Sequence, residues 1–404
     1  KSVKIIGART HPHFPWPEKA QDGFLPNCSG RQRRCERESF DMVTIRCEKL
    51  TRRFGKVLAV NEVSLEILAR QITCILGPSG CGKTTLMRIL AGLDRPTAGR
   101  VWFSDRDVTD LPARRRDVGM VFQNPVVYPN LSVLDNVLLP LKTLCDSDRE
   151  AEKRASAGLE MVGLGSRAKD KVETLGATDH QKVAVAREVA RNTKVLIFDE
   201  PLTNISLDER AEFERSIREL VRETGQTIVY VTHDQTEAMT LSDCIVVMNE
   251  GRIAQRGAPR EVYAAPDNEF VGWFLGNPGM NFIAVKPIAR HGRTWIESPL
   301  LDAPLALPEK IQPQALKIGF RPEFVRLCDG AQNAGFSARV VRKSLTVGGR
   351  MLLLLERDGI TFKAKIDRRD GVRAGEELRI EIPRERLLLF DGGGARISAA
   401  QPLS

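Results

Sequence analysis

With 404 residues, 42% of them hydrophobic and 28% charged, the chain has room for two or three domains that each bury a core. Its formal charge of +9, from 61 Lys and Arg against 52 Asp and Glu, is scattered and not interleaved with aromatics, which argues for a solvated basic surface and against nucleic acid as a partner. No apolar run reaches the ~18 residues that span a bilayer, so a membrane role has to come through a partner; the eight cysteines, without C-x-x-C or paired metal spacing, read as reduced thiols.

Residues 1–41 combine clustered Pro, the basic run RQRR and no sustained periodicity, which predicts a disordered extension ahead of Met42. Cys28, Cys35, His11 and His13 lack the further ligands a metal site needs. From 43 to 72 the pattern alternates as in strands, with Phe54-Gly55 between two of them. Phe54 stands shortly before the stretch discussed next, where an aromatic either stacks on a base or packs in a core.

Residues 72–76 form a short apolar run, Gly77 to Gly82 a Gly-rich turn, and a helix-forming pattern starts at Lys83. This is strand, G-x-x-x-x-G-K-T, helix, with the residues Gly77, Pro78, Ser79, Gly80, Cys81, Gly82, Lys83, Thr84 and Thr85. The glycines let backbone N–H groups converge on phosphate oxygens, and the helix N-terminus adds positive partial charge. Lys83 supplies a full charge to the β- and γ-phosphates, Thr84 a hydroxyl for Mg²⁺, and Thr85 a bond on the α-phosphate side. The pattern predicts a nucleotide site. Cys81 reads as filler at a permissive position, with modification that blocks nucleotide as the alternative.

A turn and strand follow, then the basic run Arg114 to Arg116, and VGMVFQ, a strand ending at Gln123. Between 131 and 191 apolar residues recur three and four apart, as at Leu134, Val137, Leu138 and Leu141, which predicts a helical insertion in an α/β core. KVLIFDEPL, 194–202, is a buried strand delivering Asp199 and Glu200 at its C-terminal end, the edge at which α/β folds place chemistry. Asp199 is expected to orient Mg²⁺ through water and Glu200 to polarise an attacking water. The strand TIVYVTHD ends on His233, CIVVMNEGRIAQRG reads as a hairpin turning at Glu250-Gly251, and His180 and His291 read as surface or structural residues. Beyond about 281, short β runs between Gly, Pro and Asp turns predict a small all-β barrel-like domain.

Together GPSGCGKTT, VGMVFQ, FDEP, YVTHDQTEAM, MNEGRIAQRGAPREVY and IGFRPE resemble the ATP-binding subunits of ABC importers of the carbohydrate-uptake type, over 43–389. The resemblance implies a P-loop α/β ATPase domain over 42–280 with a helical subdomain at about 124–191. It also implies an OB-like (TOBE-type) regulatory domain over 281–404. It implies ATP and Mg²⁺ as ligands, Phe54 stacking on adenine, and Gln123 sensing Mg²⁺ and γ-phosphate. Glu200 is then the catalytic base and His233 the switch contacting the γ-phosphate. The implied partners are two membrane-spanning permease subunits, a solute-binding protein and a second ATPase subunit, with the chain peripheral on the cytoplasmic face of the bacterial inner membrane.

Two stretches depart from the family. Where it carries LSGGQ, whose serine and glycines clasp ATP on the opposite subunit, this chain has LGATD, 175–179. Gly176 lacks the hydroxyl, Ala177 and Thr178 restrict the backbone, and Asp179 is expected to bring negative charge toward triphosphate, at a cost of order 1 kcal/mol at ~4 Å. Where the family loop ends in Leu-Asp, ungapped counting back from His233 gives Ser206; Asp208 takes the place if the loop is two residues longer. These changes predict an asymmetric dimer with a second, different ATPase subunit in preference to a homodimer. The competing readings are a regulatory subunit that binds ATP with little hydrolysis, and a soluble ABC ATPase without a transporter.

Overall fold

Apolar runs bounded by Gly and Asp turns set the strands, and runs spaced three and four apart set the helices. A computed structural model describes residues 43–203, 205–290, 293–307, 315–328, 335–346, 348–367 and 371–397; the predicted extension 1–41 and His291 lie outside the described residues. The chain falls into two compact units. One holds the described residues up to Leu50, Ser64–Ile72 and Thr84–Val231, the other Thr51–Val63, Thr73–Lys83 and the described residues from Thr232 onward.

In chain order, β1 (Ile45–Phe54), β2 (Val57–Ile67) and β3 (Ile72–Leu76) precede helix α1 (Lys83–Ala91). Strands β4 (Ala98–Phe103), β5 (Arg106–Asp107) and β6 (Val118–Val121) lead to helices α2 (Val133–Leu141), α3 (Asp148–Met161) and α4 (Ala177–Ala190). Then come β7 (Val195–Asp199), α5 (Leu207–Thr224), β8 (Thr227–Thr232), α6 (Gln235–Leu241), β9 (Cys244–Asn249) and β10 (Arg252–Gly257). Two short helices, α7 (Pro259–Ala264) and α8 (Glu269–Phe274), lead into the C-terminal strands.

In the first unit β6, β7 and β8 pair in parallel, with Val121 beside Phe198 and Asp199 beside Val231. Both β7 and β8 read as continuous apolar runs because parallel strands are covered on both faces. Helices α2, α3 and α4 pack on one another through buried Val137, Leu141, Ala155, Leu159 and Val183. Ser132 and Ser147 cap α2 and α3, each accepting from the backbone N–H three residues on. Fully buried Asn136 of α2 accepts from Tyr128 N–H and donates to the Tyr128 and Ser132 carbonyls, which fixes the loop that follows Gln123.

In the second unit β3 runs parallel to β9, and β9 turns back into β10 through Glu250 and Gly251, both at positive φ (47° and 77°) as a two-residue hairpin requires. The C-terminal strands are β11 (Asn281–Arg290), β12 (Arg293–Glu297), β13 (Leu305–Ala306), β14 (Leu316–Phe320), β15 (Arg326–Leu327) and β16 (Phe336–Leu345). They continue with β17 (Met351–Arg357), β18 (Ile360–Ile366), β19 (Glu377–Glu381), β20 (Leu388–Asp391) and β21 (Arg396–Ile397). They form two antiparallel sheets, ordered β13-β12-β11-β14-β20-β21 and β15-β19-β16-β17-β18. Alternate residues of both, among them Ile318, Phe320, Leu353, Leu355, Phe362, Ile380 and Leu389, share one core, giving the expected OB-like half-barrel.

The basic run is not uniformly solvated as its composition suggested. Arg114 and Arg115 are exposed, but Arg116 is buried. Its guanidinium donates to the carbonyls of Ile89 (2.7 Å) and Leu90 (3.0 Å) in the last turn of α1, and to those of Leu111 (2.7 Å) and Thr109 (2.9 Å). Burial pulls its pKa down to about 10, still protonated at neutral pH. One planar cation thus satisfies helix-end acceptors that have no partner within the helix. Arg116→Met is expected to destabilise the chain by about 3 kcal/mol or more, because the acceptors stay buried and lose the Arg116 donor, with only Ile89 O keeping a second donor in Gly92 N–H. Arg116→Lys should recover only part of this. A shift of the urea midpoint at constant slope reads the effect; a Met variant as stable as the parent would show that the run is merely surface.

Candidate nucleotide site

The phosphate loop belongs to the second unit. All of β3 is buried, and the chain leaves it at Gly77, where an added Cβ would lie 2.4 Å from Met248 O and 2.7 Å from Cys81 Sγ. At Gly82, with φ +104°, a Cβ would lie 2.2 Å from Ala59 O. Sterics therefore require glycine at both ends of the loop. Gly251 N–H donates to Cys81 O at 3.0 Å and so ties the loop to the β9–β10 turn. Pro78 is half-buried, while Ser79 and Gly80 form the exposed crest.

Lys83 opens α1 and is 6% exposed. Its Nζ donates to Gly77 O (2.7 Å) and Pro78 O (3.0 Å), so the ammonium is held against the inner edge of the loop. Carbonyl dipoles offset only part of the desolvation of a buried cation, and polyphosphate oxygens supply the opposite charge. Thr84 and Thr85 occupy the first turn of α1, whose N–H groups have no intrahelical acceptor. Burial pushes the Cys81 thiol up, more than nearby Lys83 pulls it down, so the sulfur stays protonated, in keeping with a packing role. Phe54, at the end of β1, is 46% exposed with the Arg52 guanidinium 4.5 Å from its ring centre.

The acidic groups belong to the first unit. Asp199 ends β7, and Glu200 follows with φ +47°, its N–H donating to Val231 O at 2.9 Å. A left-handed glutamate directly before Pro201 is strained twice, since non-glycine residues avoid positive φ and a residue before proline favours extended backbone. Such strain persists where surrounding structure fixes it, as at reactive sites. Gln123, two residues past the end of β6, donates from Nε2 to Glu200 Oε2 at 3.4 Å. Thr84, Gln123 and Asp199, the predicted Mg²⁺ donors, all lie in this unit and offer hard oxygens of the kind magnesium takes.

His233 lies in the second unit, exposed, between β8 and α6. Its neighbours are fixed. Thr232 Oγ1 donates to Glu237 Oε2 (2.8 Å) and accepts from Asp234 N–H (2.9 Å), while Asp234 Oδ1 caps α6 through Thr236 N–H (2.7 Å). His180, by contrast, bonds through Nε2 to Val172 O at 3.0 Å in a structural role.

LGATD sits at the start of α4, with Gly176 as the N-cap and no side-chain capping bond. Arg167 Nη1 pairs with Asp179 Oδ2 at 2.5 Å and also holds Asp170 through Nε at 2.9 Å, so one guanidinium is shared between two carboxylates. Ser206 is the N-cap of α5, and its hydroxyl donates to Glu209 Oε2 at 2.6 Å; the side chain of Asp208 lies outside the described residues. Glu209 also pairs with Lys182 of α4 at 3.3 Å and bonds Thr178, and the Ser206 hydroxyl first, then Lys182, hold its carboxyl below the usual range. Sequence reasoning missed Arg167 and Glu209, because no spacing rule links them to the altered motifs.

Residues 60–203 match the ABC transporter family. The chain is 40% identical over 298 residues to the Fe(3+) ions import ATP-binding protein FbpC of Brucella suis biovar 1, covering 74% of this chain and 83% of that one. It is 34% identical over 362 residues to the sn-glycerol-3-phosphate import ATP-binding protein UgpC of Chromohalobacter salexigens, covering 88% and 96%. Among solved structures it resembles cbiO1 from Clostridium perfringens, part of the ABC transporter complex cbiONQ, with TM-score 0.53 and 27% identity over 56% of this chain and 92% of that one. With relatives of this kind matched over most of its length, the chain belongs to the ATP-binding proteins of ABC importers.

Proposed function

We propose that this importer ATPase drives uptake of a glycerol-phosphate, polyol or sugar solute, as one half of an asymmetric ATPase dimer. The observation that carries the hydrolytic reading is Glu200, strained at φ +47° at the end of a buried strand with its carboxylate against the Gln123 amide. Its carboxylate polarises the water that attacks the γ-phosphate, and Gln123 orients that carboxylate. Lys83 and the loop amides bind the β- and γ-phosphates, Phe54 stacks on adenine, and His233 bonds the γ-phosphate. Thr84, Gln123 and Asp199 would hold Mg²⁺, which would neutralise phosphate charge.

The ATP-binding domain of this reading spans 42–280, with the helical subdomain at about 124–191, and the regulatory β domain spans 281–404. Phe122, Val126 and Tyr128 around the loop after Gln123, and Leu139 on α2, are exposed large apolar side chains. Such residues support docking of permease subunits there, with the chain on the cytoplasmic face of the inner membrane and a solute-binding protein on the far side. The solute class rests on the relatives named for glycerol-3-phosphate import, which match 85–88% of the chain, against 74% for those named for iron. The asymmetric dimer rests on α4, whose first turn carries Asp179 paired to Arg167 in place of the expected serine and glycines.

Glu200→Gln should keep nucleotide binding while lowering ATP turnover by about 10²-fold or more, whereas Lys83→Ala should weaken binding by about tenfold or more. Equilibrium binding and turnover measured side by side separate the two; a Glu200→Gln chain that sustains full turnover would instead favour the regulatory reading. Restoring the signature with Gly176→Ser, Ala177→Gly, Thr178→Gly and Asp179→Gln together should raise turnover of the purified chain about tenfold or more. Brisk turnover by the unmodified chain that this repair leaves unchanged would overturn the asymmetric dimer.

A further inference from the structure

Gln235 is the first residue of α6, two positions past His233, and both ends of its carboxamide are engaged by one later turn. Its Nε2 donates to Phe274 O, and its Oε1 accepts from Gly276 N–H at 2.8 Å. A donor and an acceptor on one planar group, matched to a backbone C=O and N–H two residues apart, form a two-point clamp. Glutamate lacks the donor, and asparagine is one methylene short.

The clamped turn is fastened on its other side to the C-terminal β domain. Arg321, 1% exposed and directly after β14, donates to the carbonyls of Gly272 (2.9 Å), Leu275 and Tyr263 (2.6 Å), and its guanidinium lies 3.9 Å from the Tyr263 ring centre. Lys363 and Lys365 of β18 donate to Gly279 O (2.8 Å) and Asn277 O (3.0 Å). Segment 272–279 therefore moves with the half-barrel. The His233 turn, by contrast, is braced by Thr232 and the Asp234 cap, so its displacement passes into the first turn of α6, where Gln235 stands.

The geometry points to Gln235 as the positioning residue that couples the His233 switch to the C-terminal β domain through the turn at 274–276. The coupling is reciprocal, so nucleotide at the γ-phosphate contact shifts the linker, and anything that fixes the half-barrel biases the histidine. The inference rests on the reading of His233 as a γ-phosphate contact.

Trp273, exposed on α8 beside the clamped Phe274 carbonyl, reports the event. In a full-length chain with Trp16, Trp102 and Trp295 replaced by Phe, a non-hydrolysable ATP analogue with Mg²⁺ is expected to change Trp273 emission. Gln235→Leu should abolish at least about half of that change while the analogue's affinity, measured with a fluorescent nucleotide, moves by less than about threefold. His233→Ala should reduce the signal in the same way, and Gln235→Glu, which keeps size but loses the donor, should not restore it. An undiminished Trp273 response in Gln235→Leu, or a parent chain that binds the analogue with no response, overturns the coupling. A parent chain that fails to bind the analogue overturns the nucleotide reading itself, and this inference with it.

Discussion

The structure of this ATPase turns on one buried ammonium. Lys83 sits under its own loop with the Gly77 and Pro78 carbonyls and the Cys81 sulfur bonded to Nζ, neutral partners that leave its charge uncompensated. To hold a cation there the backbone has to leave β3 sharply and start a helix within six residues. That is why no side chain fits at Gly77 or Gly82, and why Cys81, packed into the loop with its thiol kept protonated, is an inert partner. The parallel pairing of β3 with β9 and the bond from Gly251 to Cys81 brace the loop from below. A turn held this firmly presents its amides without the entropic loss of ordering them at each binding event.

The same electrostatic logic explains why the altered signature is a stable feature. A helix N-terminus attracts an anion, and in the family that anion is the opposing γ-phosphate. Here the first turn of α4 already contains one, Asp179, paired with Arg167. Glu209 gathers Thr178 and Lys182 of α4 together with Ser206, so the two departures from the family pattern are neighbours in a single hydrogen-bonded group. Each pair is partly exposed and individually weak, yet together they tie the first turns of α4 to the start of α5. A substitution at one position alone disturbs its partners within the chain, which is the physical reason for treating the motif as a unit.

Local chemistry was legible in the sequence, and distant partners were not. Strand, glycine turn and helix at 72–91, the Glu250-Gly251 hairpin, the carboxylates at the end of β7 and the alternating β runs after 281 all follow from periods and turn residues that act within a few positions. The buried role of Arg116 carried no signal because its acceptors on α1 lie 26 and 27 residues away, and neither did the pairing of Asp179 with Arg167, 12 residues away. Gln235 carried no signal of its clamp, since Phe274 and Gly276 enter its surroundings only when the chain folds back. Long-range pairing of polar groups is the part of a fold that periodicity does not encode.

Magnitudes decide what kind of device the clamp can be. Two neutral hydrogen bonds contribute a net of about 0.5–1.5 kcal/mol each, so Gln235 can carry a coupling of roughly 1–3 kcal/mol, a factor of about 5 to 150. Driving a two-state element from almost closed to almost open takes about 5.5 kcal/mol. The C-terminal half-barrel, acting through this turn, is therefore able to tune the switch histidine and unable to shut it off alone. Arg321 has the opposite character: a buried guanidinium bonded to the carbonyls of Gly272, Leu275 and Tyr263 gives a joint that is costly to break. Rigid at the barrel and yielding at Gln235, the linker concentrates any relative movement at the carboxamide two residues from the histidine.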